Sequence, residues 1–318
     1  MNSRYLTEKI KAEAKGLGFF ACGIAKAEAV DSDTADGYRR WIADGGHASM
    51  HYLADNIDKR LDPRLLMPGV KSIVCVALSY APAKTIPADQ YQIAYYAYGK
   101  DYHDVMKQKL HALAAACGIS NYRAFCDTAP VLERYWAQRA GLGWIGRNRQ
   151  LIIPHAGSMF FLGELFLTEE LEYDTPARNR CGRCHACIDA CPTQALIPNE
   201  SFLNSHFSLL NSNKCLSYLT IEHRGPFPHP NQDSHSSFFI LHSSFKNIYG
   251  CDRCQDACPW NRFAVPTTEQ AFHPSPALMA MTKEAWHNLT IEQYRTLFRG
   301  SAVKRAKYEG LMRNIRNL

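Results

Sequence analysis

Cys181-Gly-Arg-Cys184-His-Ala-Cys187-Ile-Asp-Ala-Cys191-Pro192 decides how this chain is read, together with a shorter echo, Cys251-Asp-Arg-Cys254-Gln-Asp-Ala-Cys258-Pro259. The first run is C-x2-C-x2-C-x3-C-P, the bacterial ferredoxin pattern that wraps a [4Fe–4S] cluster. Three closely spaced thiolates hold one cluster. The fourth, just before the proline, crosses to the other, because so short a peptide cannot close four corners of one cubane. The second run is one cysteine short, and Cys215, between the runs, makes up the count. Two ligand sets follow: Cys181, Cys184, Cys187 and Cys258 for one cluster, and Cys191, Cys215, Cys251 and Cys254 for the other. Structural zinc asks for four tetrahedral ligands, usually in two separated C-x2-C pairs, which this register does not supply. Disulfides belong to oxidising compartments, and nothing marks the chain as secreted.

Outside the cysteine runs, 318 residues are enough for two domains and a sizeable core. Twelve cysteines without an export signal imply a reducing cytoplasm and metal ligation. Cys22, Cys75, Cys117 and Cys126 sit in apolar stretches and read as buried small hydrophobes. No apolar run approaches the ~20 residues of a membrane span, so no membrane partner is expected. The formal net charge is +6. From Arg295 onward seven basic residues face one acid, Glu309, so this segment alone matches the excess of the whole chain. Such a patch is either a phosphate-binding face or a solvated helix end.

The order of elements points to an α+β protein. Helical patterns cover Thr7–Leu17, Tyr38–Ala43, Met50–Asn56, Asp101–Cys117 and Val131–Ala140. Strand patterns cover Phe19–Ile24, Ser72–Tyr80, Tyr122–Cys126, Leu151–Ile153 and Met159–Leu167, of which SIVCVALSY is the clearest. The texture changes to Cys, Gly and Arg at about residues 170–178, which places a domain boundary there. Residues 274–318 read as helical and basic.

Two further stretches carry chemistry or resemble it. Gly141-Leu-Gly143-Trp-Ile-Gly146 satisfies G-x-G-x-x-G, but a helix precedes it and a strand follows, the reverse of a dinucleotide fingerprint. Those glycines read as a tight helix-to-strand turn or a close approach to a bulky ligand. Asp127-Thr-Ala-Pro130 reads as a helix N-cap. The same aspartate, at the end of a strand, is also placed to act as a general acid if its pKa is raised.

Six stretches taken together, DTAPVLERYWAQRAGLGWIGRN, GSMFFLGELFLT, CGRCHACIDACPTQAL, KCLSYLTIEHRGP, YGCDRCQDACPWNRFA and FRGSAVKRAKYEGLMRNI, resemble the epoxyqueuosine reductase family over roughly residues 5–318. The resemblance implies cobalamin beside the two [4Fe–4S] clusters, and removal of the epoxide oxygen from epoxyqueuosine at the tRNA wobble position. It implies a nitroreductase-like cobalamin-binding catalytic domain (1–175), a ferredoxin-like double-cluster domain (176–265) and a basic helical C-terminal segment (266–318). It makes Asp127 the proton donor, with Tyr102 and His103 of the D-Y-H motif beside the reaction centre. Arg60, Asp127, Asn148, Leu151 and Ser217 would contact cobalamin. Its other implied partner is an external low-potential electron donor such as a flavodoxin or ferredoxin.

The tRNA substrate needs a basic face, and Lys304, Arg305, Lys307 and Arg313, taken as one helix, would follow a phosphate backbone. The segment 226–247 departs from the family pattern in looking longer and less acidic. A reductive-dehalogenase-like reductase of a small molecule shares the cofactor set, and a ferredoxin-type electron carrier shares the clusters. The carrier leaves ~170 N-terminal residues without a task.

Overall fold

The structure is a computed structural model that describes residues 2–198, 208–227 and 246–318. The N-terminal half runs α1 (Ser3–Gly16), β1 (Ala21–Lys26), α2 (Ser32–Ala43), α3 (Ile57–Leu61), β2 (Ser72–Ser79), β3 (Gln92–Ile93), α4 (Tyr102–Cys117), β4 (Tyr122–Phe125), α5 (Glu133–Arg139), β5 (Trp144–Ile145), β6 (Leu151–Ile152) and β7 (Phe160–Leu167). Four of the strands form an antiparallel sheet in the order β1-β2-β7-β4.

The sheet is covered on both faces, which explains why β2 is apolar at nearly every position rather than at alternate ones. Val74, Val76 and Leu78 pack with Leu6 and Ile10 of α1 and with Met106 and Leu110 of α4. Ile73, Cys75 and Ala77 point the other way, toward Tyr135 and Trp136 of α5. The same period of two governs β7. Leu165 and Leu167 join the α1/α4 core, whereas Phe166 joins the α5 core. By parity Glu164 therefore lies on the α5 side, between Cys75 of β2 and Phe125 of β4.

The G-x-G-x-x-G stretch is a helix-to-strand turn. Gly141 has φ +78°, and a Cβ on Gly143 would sit 2.2 Å from the Ile152 carbonyl oxygen, so β5 and β6 close into a hairpin only over glycine. The preceding helix and following hairpin agree with setting a dinucleotide fold aside. The helix expected from Val131 begins at Glu133.

Beyond the sheet the chain continues through α6 (Ala186–Asp189), β8 (Leu196–Pro198), β9 (Ser208–Leu210), α7 (Leu216–Ile221) and β10 (Asn247–Tyr249). Four short helices follow: α8 (Arg253–Asp256), α9 (Pro276–Met279), α10 (Lys283–His287) and α11 (Ile291–Leu297). The last element is α12 (Lys307–Arg316). A third core binds this end to the first half. Ile86, Tyr91, Ile93 and Tyr98 pack with Ile248, Tyr249, Trp286, Phe298 and Leu311, and β10 pairs in parallel with β3. The expected boundaries at 175 and 265 thus cross shared packing, because residues 86–98 leave the sheet to join the C-terminal core. Most of the unusual 226–247 segment, residues 228–245, lies outside the described residues.

Candidate functional site

The D-Y-H motif opens α4, and the helix start arranges all three side chains. Asp101 caps the helix by accepting from the His103 backbone N–H at 3.1 Å. The same carboxylate lies 2.6 Å from His103 Nδ1, which leaves Nε2 facing outward. Tyr102 is sandwiched between the Phe161 ring (4.3 Å, 2°) and the His103 ring (4.0 Å). Its phenol is therefore fixed in direction and donates to Asp127 Oδ2 at 2.5 Å. His103 Nε2 lies 3.4 Å from the same oxygen.

Asp127 is not a helix cap. The N-cap of α5 is Leu132, and Asp127 sits five residues earlier with φ 57°, in the left-handed region. Its side chain keeps 59 % of its surface accessible although protein groups crowd around it, the mark of a group in an open cleft. Burial raises its pKa. Hydrogen bonds from His103 and Tyr102, and the charges of His103 and Arg134, outweigh that and hold it below the ordinary value. Burial lowers the pKa of His103, but Asp101 and Asp127 lift it to about 9. The raised pKa expected for an acid thus falls on His103 instead of Asp127.

Cys181, Cys184, Cys187 and Cys258 line one small cavity with Ile152, Pro259 and Trp260. Trp144 Nε1 lies 3.4 Å from Cys181 Sγ. Arg147 donates to the Gly182 carbonyl at 2.9 Å and to that of Cys184, pinning the loop. In the second set, burial and neighbouring thiols raise the pKa values together: Cys215 feels Cys191, Cys251 feels Cys215 and Cys191, and Cys254 feels Cys251 and Cys215. Cys254 also feels Cys187, so the sets adjoin. Cys184 is exposed, while the other seven are buried or half-buried. Tyr96 packs edge-on against Tyr102 at 6.1 Å, and its phenol feels both Asp252, beside Cys251, and Asp127. An all-thiol donor set fits iron–sulfur clusters.

The other expected contacts divide. Arg60 is buried, donates to the Tyr52 carbonyl at 3.1 Å, and leaves its Nε without a hydrogen-bond partner. Tyr52 feels the charge of Asp127, so Arg60 and the cleft are neighbours. A buried guanidinium N–H without a partner among the described residues fits a ligand rich in amide acceptors, as cobalamin is. Asn148 and Leu151 are already engaged. Asn148 donates to the Cys254 carbonyl at 3.3 Å and accepts from Gln150. Leu151 pairs with Ile145 across the hairpin and buries its side chain against α5. Ser217 Oγ lies 3.5 Å from the Cys251 carbonyl, beside the second cysteine set.

The basic tail needs correcting. Lys304 to Arg313 is not one helix, because the chain breaks at Lys307, with φ 59°, between a 3-10 turn and α12. Arg313 is turned inward and donates to the carbonyls of Leu219, His223 and Gly225 at 2.8–2.9 Å. Arg305 is paired with both oxygens of Glu222 at 2.7–2.8 Å. Arg313 is half-buried, whereas Arg305, beside Glu222, stays exposed, as do Lys304 and Lys307. Arg305 also lies over the Tyr52 ring at 5.7 Å, which sets the tail beside the cleft.

Sequence reasoning missed three groups. Asp101 was visible only as part of a motif. Glu133, which accepts from the Asp127 backbone N–H, looked like an ordinary helix residue. Glu164 did leave a signal, as the one acid inside the apolar strand FFLGELFL.

Fold and site together define a double-cluster iron–sulfur protein whose sheet domain brings Tyr102, His103 and Asp127 together. Residues 60–128 match the family model described as epoxyqueuosine reductase QueG, DUF1730, and residues 180–261 match a 4Fe-4S double cluster binding domain. An epoxyqueuosine reductase of Cellulophaga algicola is 41 % identical over 97 % of this chain and 96 % of its own. A solved epoxyqueuosine reductase with a tRNA-Tyr epoxyqueuosine-modified stem loop superposes with a TM-score of 0.82 at 26 % identity, over 98 % of this chain and 80 % of that one. A Bacillus subtilis epoxyqueuosine reductase, with its aspartate-bearing catalytic loop swung out of the active site, gives a TM-score of 0.80 at 26 % identity over the same shares. The chain belongs to the epoxyqueuosine reductase family. Among the described residues no helix is long and apolar enough to cross a membrane.

Proposed function

We propose that this protein reduces epoxyqueuosine to queuosine at the wobble position of tRNA. The supporting observation is the cleft in which Tyr102, His103 and Asp127 converge on one oxygen, in a chain that also gathers eight cysteines into two adjoining sets. Removing the epoxide oxygen as water and leaving an alkene consumes two electrons and two protons. Cobalamin, when bound, supplies the carbon–oxygen cleavage chemistry that no side chain performs, and the clusters supply single electrons. Arg60 and Asp127 would hold the cobalamin from the sheet domain, and Ser217 from the cysteine-rich side, on a nitroreductase-like scaffold.

The protein's own part is the proton. His103 carries it at neutral pH, oriented by Asp101, and Asp127 shares it across 3.4 Å. Asp127 delivers it to the departing oxygen, and Tyr102 keeps the carboxylate from turning away. The division into 1–175, 176–265 and 266–318 is one of function across shared cores: proton and cofactor, electrons, and RNA. Lys304 and Lys307 take the phosphate contacts of the anticodon stem loop. A flavodoxin or ferredoxin docks at the exposed Cys184 end, where Arg178, Arg180 and Arg183 are also exposed.

The test is anaerobic reconstitution with iron, sulfide and cobalamin, then turnover of an epoxyqueuosine stem loop against a halogenated aromatic. Conversion of the stem loop alone supports the reading. Dehalogenation without stem-loop conversion overturns it.

A further inference from the structure

Beneath the cleft lie two carboxyl groups that the mechanism above does not use. Glu133 is the first residue of α5, and its Oε1 accepts from the Asp127 backbone N–H. Glu164 lies below it in the middle of the sheet, 0 % exposed, and neither of its oxygens has a hydrogen-bond partner among the described residues. The groups around the pair are Asp127, His103 and Arg134 on the cleft side, and the Cys75 and Cys126 thiols on the sheet side. Arg134 and His103 are the cations among them, and neither reaches Glu164 with a hydrogen bond among the described residues. A buried acid in that setting keeps its proton. After burial, the charge of Glu133 is what most raises its pKa.

Asp127 needs such support. Its left-handed φ of 57° is a strained choice for an aspartate and persists only where surroundings enforce it. The cap residue of α5, Leu132, contributes no side-chain hydrogen bond, so Glu133 is left to hold the loop.

We propose that Glu133 is a positioning residue: its carboxyl latches the Asp127 loop through the backbone N–H. The proposal deepens the reductase reading and rests on it for its kinetic consequences, but not for its structural ones. Burial and the Asp127 carboxylate push the pKa of Glu133 up to about 8. The latch therefore gains charge, and strengthens, in the slightly alkaline range.

The test uses the reconstituted protein and two readouts, amide hydrogen exchange across residues 124–132 and the pH profile of kcat and KM on the stem loop. In Glu133→Ala the Asp127 amide should exchange about tenfold faster, the loss of one hydrogen bond. Its kcat should fall by a similar factor with KM, iron and cobalamin content held. Glu133→Gln, whose amide oxygen still accepts, should restore most of the protection and lose the inflection near 8 from the pH profile. Glu164→Gln, the neutral isostere, should keep the amide protected. Unchanged exchange in Glu133→Ala overturns the latch. Faster exchange with unchanged kcat overturns the positioning role, as does a Glu133→Gln that exchanges like Glu133→Ala. A wild-type protein inactive on the stem loop refutes the reductase reading, while exchange still decides the latch.

Discussion

Replacing Asp127 by asparagine separates the proton role of the cleft from its shape. The asparagine oxygen can still accept from Tyr102, which now donates at 2.5 Å. The other side-chain atom becomes an NH2 group facing His103 Nε2, 3.4 Å away in the native cleft. Two losses follow. The substituted side chain cannot deliver a proton, an omission worth ~10²–10⁴-fold, or about 2.7–5.4 kcal/mol of barrier. The carboxylate that helps lift His103 to about 9 also disappears, leaving Asp101 to do so alone. The pKa of His103 should then fall toward its ordinary value of 6.5. The assay is single turnover of an epoxyqueuosine stem loop across pH 6–10, with iron and cobalamin measured on the same samples. Wild-type activity should fall as pH rises through about 9, and the residual activity of the variant should fall at lower pH. Cofactor content should not change. A variant with near-native turnover and an unmoved alkaline limb would refute the reasoning and make Asp127 a structural loop residue.

Cys258→Ser should lower iron from about eight to about four per chain while sparing the second set, read by iron analysis. Its effect must fall on the cavity with Cys181, Cys184 and Cys187, far away in sequence. Arg313→Ala should lower stability by ~2–4 kcal/mol in urea titrations, because three carbonyls lose a charged donor at once. Lys304→Glu with Lys307→Glu should leave stability within ~0.5 kcal/mol. That pair should weaken stem-loop binding and flatten its salt dependence by roughly 0.7–0.9 for each phosphate no longer neutralised. His103, raised in the folded state, contributes stability that is complete below about 6.5 and lost as pH rises through about 9. Thermal melts should show that loss, and Asp101→Asn should shrink it.

The cysteine sets were legible because cluster ligation imposes spacing over a few residues, where sequence and geometry coincide. Strand β2 was legible because eight residues covered on both faces leave a continuous apolar run. A cap at Asp127 is the wrong reading because D-T-A-P carries the composition of a helix start, while the helix waits until Glu133. Arg305 and Arg313 look like RNA contacts in sequence because their partners come from residues 219–225, and distant partners leave no periodicity in a local stretch. The same distance hid the third core, in which residues 86–98 meet residues 248–315. Glu164 was marked by its place in an apolar strand, but only the register, which sets it between Cys75 and Phe125 on the face covered by the helix that starts at Glu133, gave that mark a meaning.

The central claim is that this chain removes one oxygen atom from epoxyqueuosine held in tRNA. Its most direct test is mass spectrometry of the nucleoside released after the anaerobically reconstituted protein, with a low-potential reductant, acts on an epoxyqueuosine stem loop. The account predicts queuosine, lighter than the starting nucleoside by a single oxygen, and dependent on added cobalamin. Unchanged epoxyqueuosine from protein that carries its full iron and cobalamin would contradict it.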